Sequence, residues 1–260
     1  MDFAVAGQRG FAGTGGRPFD NKRPAVVLLH GAGMNHTVWA LQARALAHHG
    51  RNVLAIDFPG HGDSAGPALM TIEALADWLL RVLRALDVGR FRLAGHSMGS
   101  LVALETASRA GAACEALALL GFVPEMRVHP DLLAAARSGA HLASELMVAW
   151  SFKTLTGGNP APGVFLPDAA LRLIEQTPAA SLAADLAACD HYAGATAAAG
   201  VVRCPVLLLS GAQDRMTPAA KADAFAGNFA QGCSVVLHGC GHMLMVEQPV
   251  LVLDSLYTIL

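Results

Sequence analysis

Gly95-His96-Ser97-Met98-Gly99 puts a serine hydroxyl between two glycines, after the apolar run Phe91-Arg92-Leu93-Ala94 and ahead of a helix-like stretch, Ser100–Arg109. A G-x-S-x-G segment between strand and helix has the form of a nucleophile elbow. The serine takes a crowded backbone conformation there, so Gly95 and Gly99 supply room that side chains would fill. The turn lifts the Ser97 hydroxyl off the sheet, and the following helix N-terminus favours negative charge beside it.

A serine hydroxyl becomes a nucleophile near neutral pH only with a general base, and the base needs an orienting carboxylate. Two loops that follow strand-like runs offer them: Asp214 in Gly211-Ala212-Gln213-Asp214, and His242 in Gly241-His242. The chain order Ser, Asp, His fits this architecture. His238 is a rival base at the strand end, but Gly239 and Gly241 let the loop turn His242 back over the sheet. Glu125 and Asp190 are rival carboxylates. The oxyanion of a tetrahedral intermediate needs two preorganised N–H donors. Met98 would give one, and His30-Gly31-Ala32-Gly33-Met34 the other, from Ala32 or alternatively Gly33.

These residues need strand ends to hold them, and the chain supplies an alternation. The pattern predicts strands at Ala25–Leu29, Val53–Asp57, Phe91–Gly95, Ala116–Leu120, Val206–Ser210 and Ser234–Leu237. Helices are predicted at Trp39–His49, Ile72–Leu86, Leu101–Ala110, Pro218–Phe229 and Pro249–Leu260. Continuous apolar runs such as Val26-Val27-Leu28-Leu29 suit strands buried on both faces, and the alternation implies a parallel α/β sheet. Residues 1–24 read as an edge hairpin. From Pro124 to about Gly200 the alternation stops in an Ala- and Leu-rich helical block, broken at Gly157-Gly158, Pro160, Pro162, Pro167 and Pro178. Inserted at the carboxyl end of the sheet, such a block would act as a lid.

The 260 residues can bury a substantial core; they are 53% hydrophobic and 15% charged, with a net charge of −2. Scattered Lys and Arg give no nucleic-acid surface, and no apolar run reaches the roughly 18 residues of a membrane span. Met1-Asp2-Phe3-Ala4 carries no basic-then-apolar leader pattern, so a cytoplasmic location is expected. The five cysteines lack framework spacing and read as reduced thiols; only Cys233 and Cys240, flanking a strand, could conceivably pair. His36 stands where G-x-G-x-x-G needs glycine, and no Walker sequence occurs, so no nucleotide is expected. His30, His36 and His61 lack metal-ligand spacing. His61 reads as a turn residue, with Asp63 and Ser64 bonding locally. No cofactor is expected.

With these residues in hand, the chain resembles the α/β-hydrolase superfamily, in its group of single-domain esterase-like enzymes with a helical cap. The resemblance rests on His30-Gly31, Asp57-Phe58-Pro59-Gly60-His61-Gly62-Asp63-Ser64, Gly95-His96-Ser97-Met98-Gly99, Gly211-Ala212-Gln213-Asp214, and Gly241-His242 with Glu247-Gln248-Pro249. It implies a mostly parallel eight-stranded sheet with helices on both faces. It also implies a core of residues 1–123 and 201–260 and a cap of residues 124–200. Ser97 would be the nucleophile, His242 the base, Asp214 its orienter, and Ala32 and Met98 the oxyanion donors.

The substrate pocket is expected among Met34, Met98, Phe122, Met126, Leu146, Met147, Trp150, Phe152, Phe165 and Met243, although residues at the helical spacing of Leu142, Leu146, Met147 and Trp150 more often mark a packing face than a pocket. Arg127, Arg137, Lys153 and Arg172 form no cluster, which disfavours polyanionic substrates. His191 and Tyr192 could touch substrate. The expected reaction is hydrolysis of a small to medium, mostly apolar uncharged carboxylic ester. Alternatives on the same fold are a diketone carbon–carbon bond (Arg172 or His191 as polar helper), a lactone, an amide or an N-terminal peptide bond (Glu145, Asp185 or Asp190 holding the amine), or cofactor-free perhydrolysis. An alternative of another class is a slow-turnover ligand sensor. The small-molecule substrate is the one partner expected, and the apolar C-terminal helix suits a monomer or a homodimer.

Overall fold

The computed structural model describes residues 1–153 and 165–260. The breaks at Gly157-Gly158, Pro160 and Pro162 lie outside the described residues. Eight strands make one sheet: β1 Asp2–Val5, β2 Gln8–Gly13, β3 Ala25–Leu29, β4 Asn52–Ile56, β5 Phe91–His96, β6 Cys114–Leu120, β7 Val206–Gly211 and β8 Gly232–Leu237. Their order is β1-β2-β4-β3-β5-β6-β7-β8. The first two strands are the edge hairpin, antiparallel to each other and to β4; all other pairs are parallel. Every residue of β3 and β4 is buried, as the apolar runs Ala25–Leu29 and Val53–Ile56 require in a sheet covered on both faces, and the Asn52 side chain at the start of β4 bonds to the Asp20 backbone.

The connections decide where side chains can converge. Helix α1 (Ala40–His48) carries the chain from β3 outward to β4, and α2 (Ile72–Ala85) brings it back across β3 to β5. With right-handed crossovers, opposite directions of travel put the two helices on opposite faces. The reversal opens a crevice beyond the carboxyl ends of β3 and β5, where ligands settle in open α/β sheets. Helix α2 is amphipathic, burying Ile72, Leu75, Leu79, Val82 and Leu83, and Thr71 caps it by accepting the Ala74 N–H. Helix α3 (Met98–Ala110) starts three residues before the sequence pattern predicts, because the Ser97 turn leads straight into it.

Between β6 and β7 the described residues form helices α4 Pro130–Arg137, α5 Leu142–Ser151, α6 Leu166–Gln176, α7 Ala179–His191 and α8 Ala195–Val201. Helices α9 (Ala219–Phe225), α10 (Leu244–Glu247) and α11 (Pro249–Tyr257) complete the fold. The predicted Pro218–Phe229 helix is shorter and ends in a 3-10 turn over Ala226–Asn228. Among the described residues, no helix is long and apolar enough to cross a membrane.

Candidate active site

Ser97 is held at φ 53° and ψ −121°, a left-handed region that costs a non-glycine residue about 1–3 kcal/mol. The surroundings impose it. A Cβ on Gly95 would lie 2.0 Å from the Gly99 carbonyl oxygen, and one on Gly99 would lie 2.5 Å from the carbonyl oxygens of Leu29 and His30. The two glycines therefore let β5, α3 and the end of β3 close on one another. The Ser97 N–H donates to Leu120 O at 2.9 Å, and Ser100 Oγ donates back to Ser97 O at 2.6 Å. Ser97 is 8% exposed, with Met126 Sδ 3.9 Å from its Oγ.

His242 and Asp214 come together 28 residues apart in sequence, Nδ1 to Oδ2 at 2.8 Å, from the loops after β8 and β7. Asp214 Oδ1 accepts the N–H groups of Met216 and Thr217 at 2.9 and 2.8 Å, and Oδ2 accepts the Thr217 hydroxyl at 2.5 Å. Burial alone would raise the Asp214 pKa, but the charge and hydrogen bond of His242 and the Thr217 bonds outweigh it and lower it. The carboxylate is therefore ionised and points the imidazole. Nε2 of His242 is buried and free of any hydrogen bond among the described residues. The rival groups lie elsewhere: His238 and Glu125 are exposed, and Asp190 Oδ1 accepts the Val128 N–H at 3.0 Å.

The loop after β3 is braced residue by residue. Phe58 N–H donates to His30 Nε2 at 3.1 Å, so His30 Nδ1 carries the proton it gives to Gly31 O at 2.9 Å. Burial, then the nearby charge of His61, pushes the His30 pKa down to about 4, which fits that neutral tautomer. Met34 N–H donates to the same Gly31 oxygen at 3.2 Å. Gly33 N–H is taken by Asp185 Oδ2 at 2.8 Å, which removes it as a free donor. The Ala32 N–H has no acceptor among the described residues. As first residue of α3, Met98 also has an N–H without an intrahelical acceptor.

A cavity of about 400 Å³ joins these groups. Ser97, His242, Gly31, Ala32 and Thr217 line it from the sheet side; Met126, Met147, Trp150, Leu186 and Cys189 line it from the β6–β7 segment. Met34, Met126, Met147 and Trp150 line this cavity. Phe122 does not: it is fully buried, its ring 5.4 Å from that of Phe225, because the residue after Gly121 turns into the core. Met243 does not either. It lines a neighbouring cavity with Leu166, Leu173 and Val246, since the His242 loop points consecutive side chains apart. Met98 is fully buried, and Phe152 is buried away from the cavity. Phe165 is exposed at the start of α6.

Besides His96, Cys189 and His242, this cavity is lined by Arg127, His129 and Arg215, the last far from the other two in sequence. Among its described lining residues there is no Asp or Glu. His61 is no simple turn residue; it is buried, with Nδ1 3.0 Å from Pro59 O and Nε2 2.8 Å from Asp185 Oδ2. Asp63 and Ser64 do bond locally, to Asp57 Oδ2 and Asp57 O. All five cysteines are free thiols. No group of three or more potential ligands that could hold a metal ion occurs among the described residues.

The strand order, with a cavity at the strand ends, is that of an α/β-hydrolase fold. The alpha/beta hydrolase family matches residues 26–255, and the chain belongs to that family. It is similar to a putative carbamate hydrolase of Klebsiella pneumoniae, 29% identical over 206 residues, 75% of this chain and 76% of that protein. It is also similar to the (E)-2-((N-methylformamido)methylene)succinate hydrolase of Acinetobacter baylyi, 38% identical over 78 residues, 30% of this chain. That match spans only 29% of the relative's length. Among solved structures, the enol-lactonase of Burkholderia xenovorans superposes with a TM-score of 0.86 at 24% identity, over 99% of this chain and 98% of the other. An esterase of Thermogutta terrifontis gives 0.83 at 24% identity, over 99% and 95%. At such identity the likeness is one of fold.

Proposed function

We propose that the chain is a serine hydrolase of small to medium carboxylic esters, working through an acyl-enzyme on Ser97. The observation that carries this reading is the ionised Asp214 aimed at His242 Nδ1 at 2.8 Å, on the cavity that Ser97 also lines. His242 Nε2 takes the Ser97 proton as Oγ attacks the ester carbonyl. Ala32 and Met98 N–H groups hold the resulting oxyanion. Collapse breaks the carbon–oxygen bond, and His242 returns the proton to the departing alcohol. Water then attacks the acyl-enzyme with His242 as base, releasing the acid and restoring Ser97. Residues 124–200 serve as the cap, and Met34, Met126, Met147 and Trp150 make an apolar acyl pocket.

A second reading concerns the substrate's charge. Arg127 and Arg215 both line the cavity that Ser97 and His242 line. With His129 and no lining carboxylate, the cavity favours an ester or lactone that bears a carboxylate of its own. The name of one similar protein, a hydrolase of a succinate derivative, accords with a substrate that bears a carboxylate.

The test is hydrolysis of p-nitrophenyl esters from acetate to palmitate by wild type and Ser97→Ala. Wild-type turnover with kcat reduced on the order of 10⁴-fold in the variant supports the reading. Equal activity in both proteins sinks the covalent mechanism.

A further inference from the structure

Asp185 sits on α7, 152 residues from Gly33, yet its Oδ2 accepts the Gly33 N–H at 2.8 Å and meets His61 Nε2 at the same distance. The carboxylate is 1% exposed, and its Oδ1 has no hydrogen bond among the described residues. Both His61 nitrogens face oxygen acceptors, a carbonyl and a carboxylate, so both carry protons and the pair is ionic. Removing His61 and Asp185 from water is costly, and stability alone gives weak reason to keep such a pair.

Its geometry offers another reason. A peptide plane is rigid, and its N–H points opposite to its C=O. The Gly31–Ala32 plane is fixed through Gly31 O, held by His30 Nδ1 and Met34 N–H. The next plane, Ala32–Gly33, is fixed through its N–H by Asp185, and Gly33 O is held by the Thr177 hydroxyl at 2.9 Å. Ala32 is thereby caught between two anchored planes, and its unpartnered N–H has one direction to point. Leu186 and Cys189, next to Asp185 and one turn beyond it, line the substrate cavity.

We propose that Asp185 is a positioning residue: through Gly33 it aims the Ala32 N–H at the oxyanion, and through α7 it ties that donor to the wall the substrate touches. The proposal rests on the esterase reading above. Asp185→Ala frees the Gly33 N–H, whereas Asp185→Asn keeps an oxygen acceptor for it. With p-nitrophenyl butyrate, the alanine variant should lose about 10- to 100-fold in kcat, with KM within about twofold. The asparagine variant should recover most of that loss. A trifluoromethyl ketone, whose adduct carries the oxyanion, should bind the alanine variant more weakly by about the factor lost in kcat/KM.

Ser181→Ala removes another α7 anchor, the hydroxyl bond to Gly60 O at 3.0 Å, without touching the oxyanion loop, and should keep kcat within about twofold. If Asp185→Ala does not fold, the double variant His61→Leu/Asp185→Leu removes both charges together, an exchange proteins often tolerate. It should show the same loss of kcat. Unchanged kcat in folded Asp185→Ala, or in the folded double variant, overturns the proposal. So does an equal loss in Ser181→Ala, which would reduce Asp185 to general anchoring. If wild type neither turns over esters nor reacts at Ser97 with a fluorophosphonate, the esterase reading itself has failed.

Discussion

His96 Nε2 donates a hydrogen bond to the backbone carbonyl of His242 at 2.9 Å, with the two rings 4.7 Å apart. The residue before the proposed nucleophile thus holds the loop of the proposed base. Burial, then the charge of His242, pushes the His96 pKa down to about 3, so the ring is a neutral donor at ordinary pH. His96→Phe keeps the ring volume and strands that carbonyl. We expect kcat to fall about tenfold, the effect of roughly 1.4 kcal/mol in the barrier. Because His96 does not titrate above pH 5, the shape of the pH–rate profile should not change there. Steady-state kinetics from pH 5 to 9 checks both statements, and a displaced acid limb contradicts the assignment.

Gly121, at the end of β6, has φ +57°, and a Cβ there would lie 2.9 Å from His242 Cε1. Gly121→Ala combines backbone strain with a displaced imidazole. It should lose about 1–3 kcal/mol of stability and at least about tenfold in kcat. Urea denaturation and ester turnover measure the two losses separately; a variant with normal kcat would show that the imidazole has room to move.

Asp57 accepts His36 N–H at 2.6 Å, the His36 ring at 2.9 Å and Asp63 N–H at 2.9 Å. Burial works to raise its pKa, but these bonds prevail and lower it below the usual 3.8. A lowered folded-state value gives stability that is complete above the unfolded value and lost as pH falls through the folded one. Asp57→Asn should therefore cost about 1–3 kcal/mol at pH 7 and flatten the stability loss below about pH 4. Unfolding free energies of both proteins from pH 3 to 7 test this, with parallel curves counting against it.

The charge of the cavity wall predicts a change of preference, not of chemistry. Arg127→Gln/Arg215→Gln should lower kcat/KM for a hemisuccinate aryl ester about tenfold relative to the neutral butyrate. The ratio of the two specificity constants reports it. A ratio that stays put would leave the guanidinium groups to their structural bonds, Arg127 to Asp190 O and Arg215 to the carbonyls of Ala149 and Phe152.

The parts of this molecule readable in sequence are those governed by local physics. Val26-Val27-Leu28-Leu29 can only be a buried strand, and the glycines around Ser97 announce a turn tighter than side chains allow. The loop residues after β3, β5, β7 and β8 are legible because parallel strands all end on one side. Contacts set by the helical segment are not. Asp185 stands in an alanine-rich helix with no local signal that it reaches Gly33, and Arg127 and Arg215 are separated by 88 positions. Phe122 and Met243 mislead for the opposite reason. Phe122 follows the end of β6 and Met243 follows His242, but neighbours on an extended or turning chain point different ways.

Besides Gly60, the points at which the inserted helices grip the core include the loops of the site: Ser151 O accepts the His242 N–H at 2.7 Å, and α6–α7 clasp Gly33 through Thr177 and Asp185. Specificity cannot then be exchanged here as a detachable module. A helical segment grafted from another hydrolase would have to bring a carbonyl, a hydroxyl and a carboxylate to those points, or the graft would recognise a new molecule and leave it unchanged.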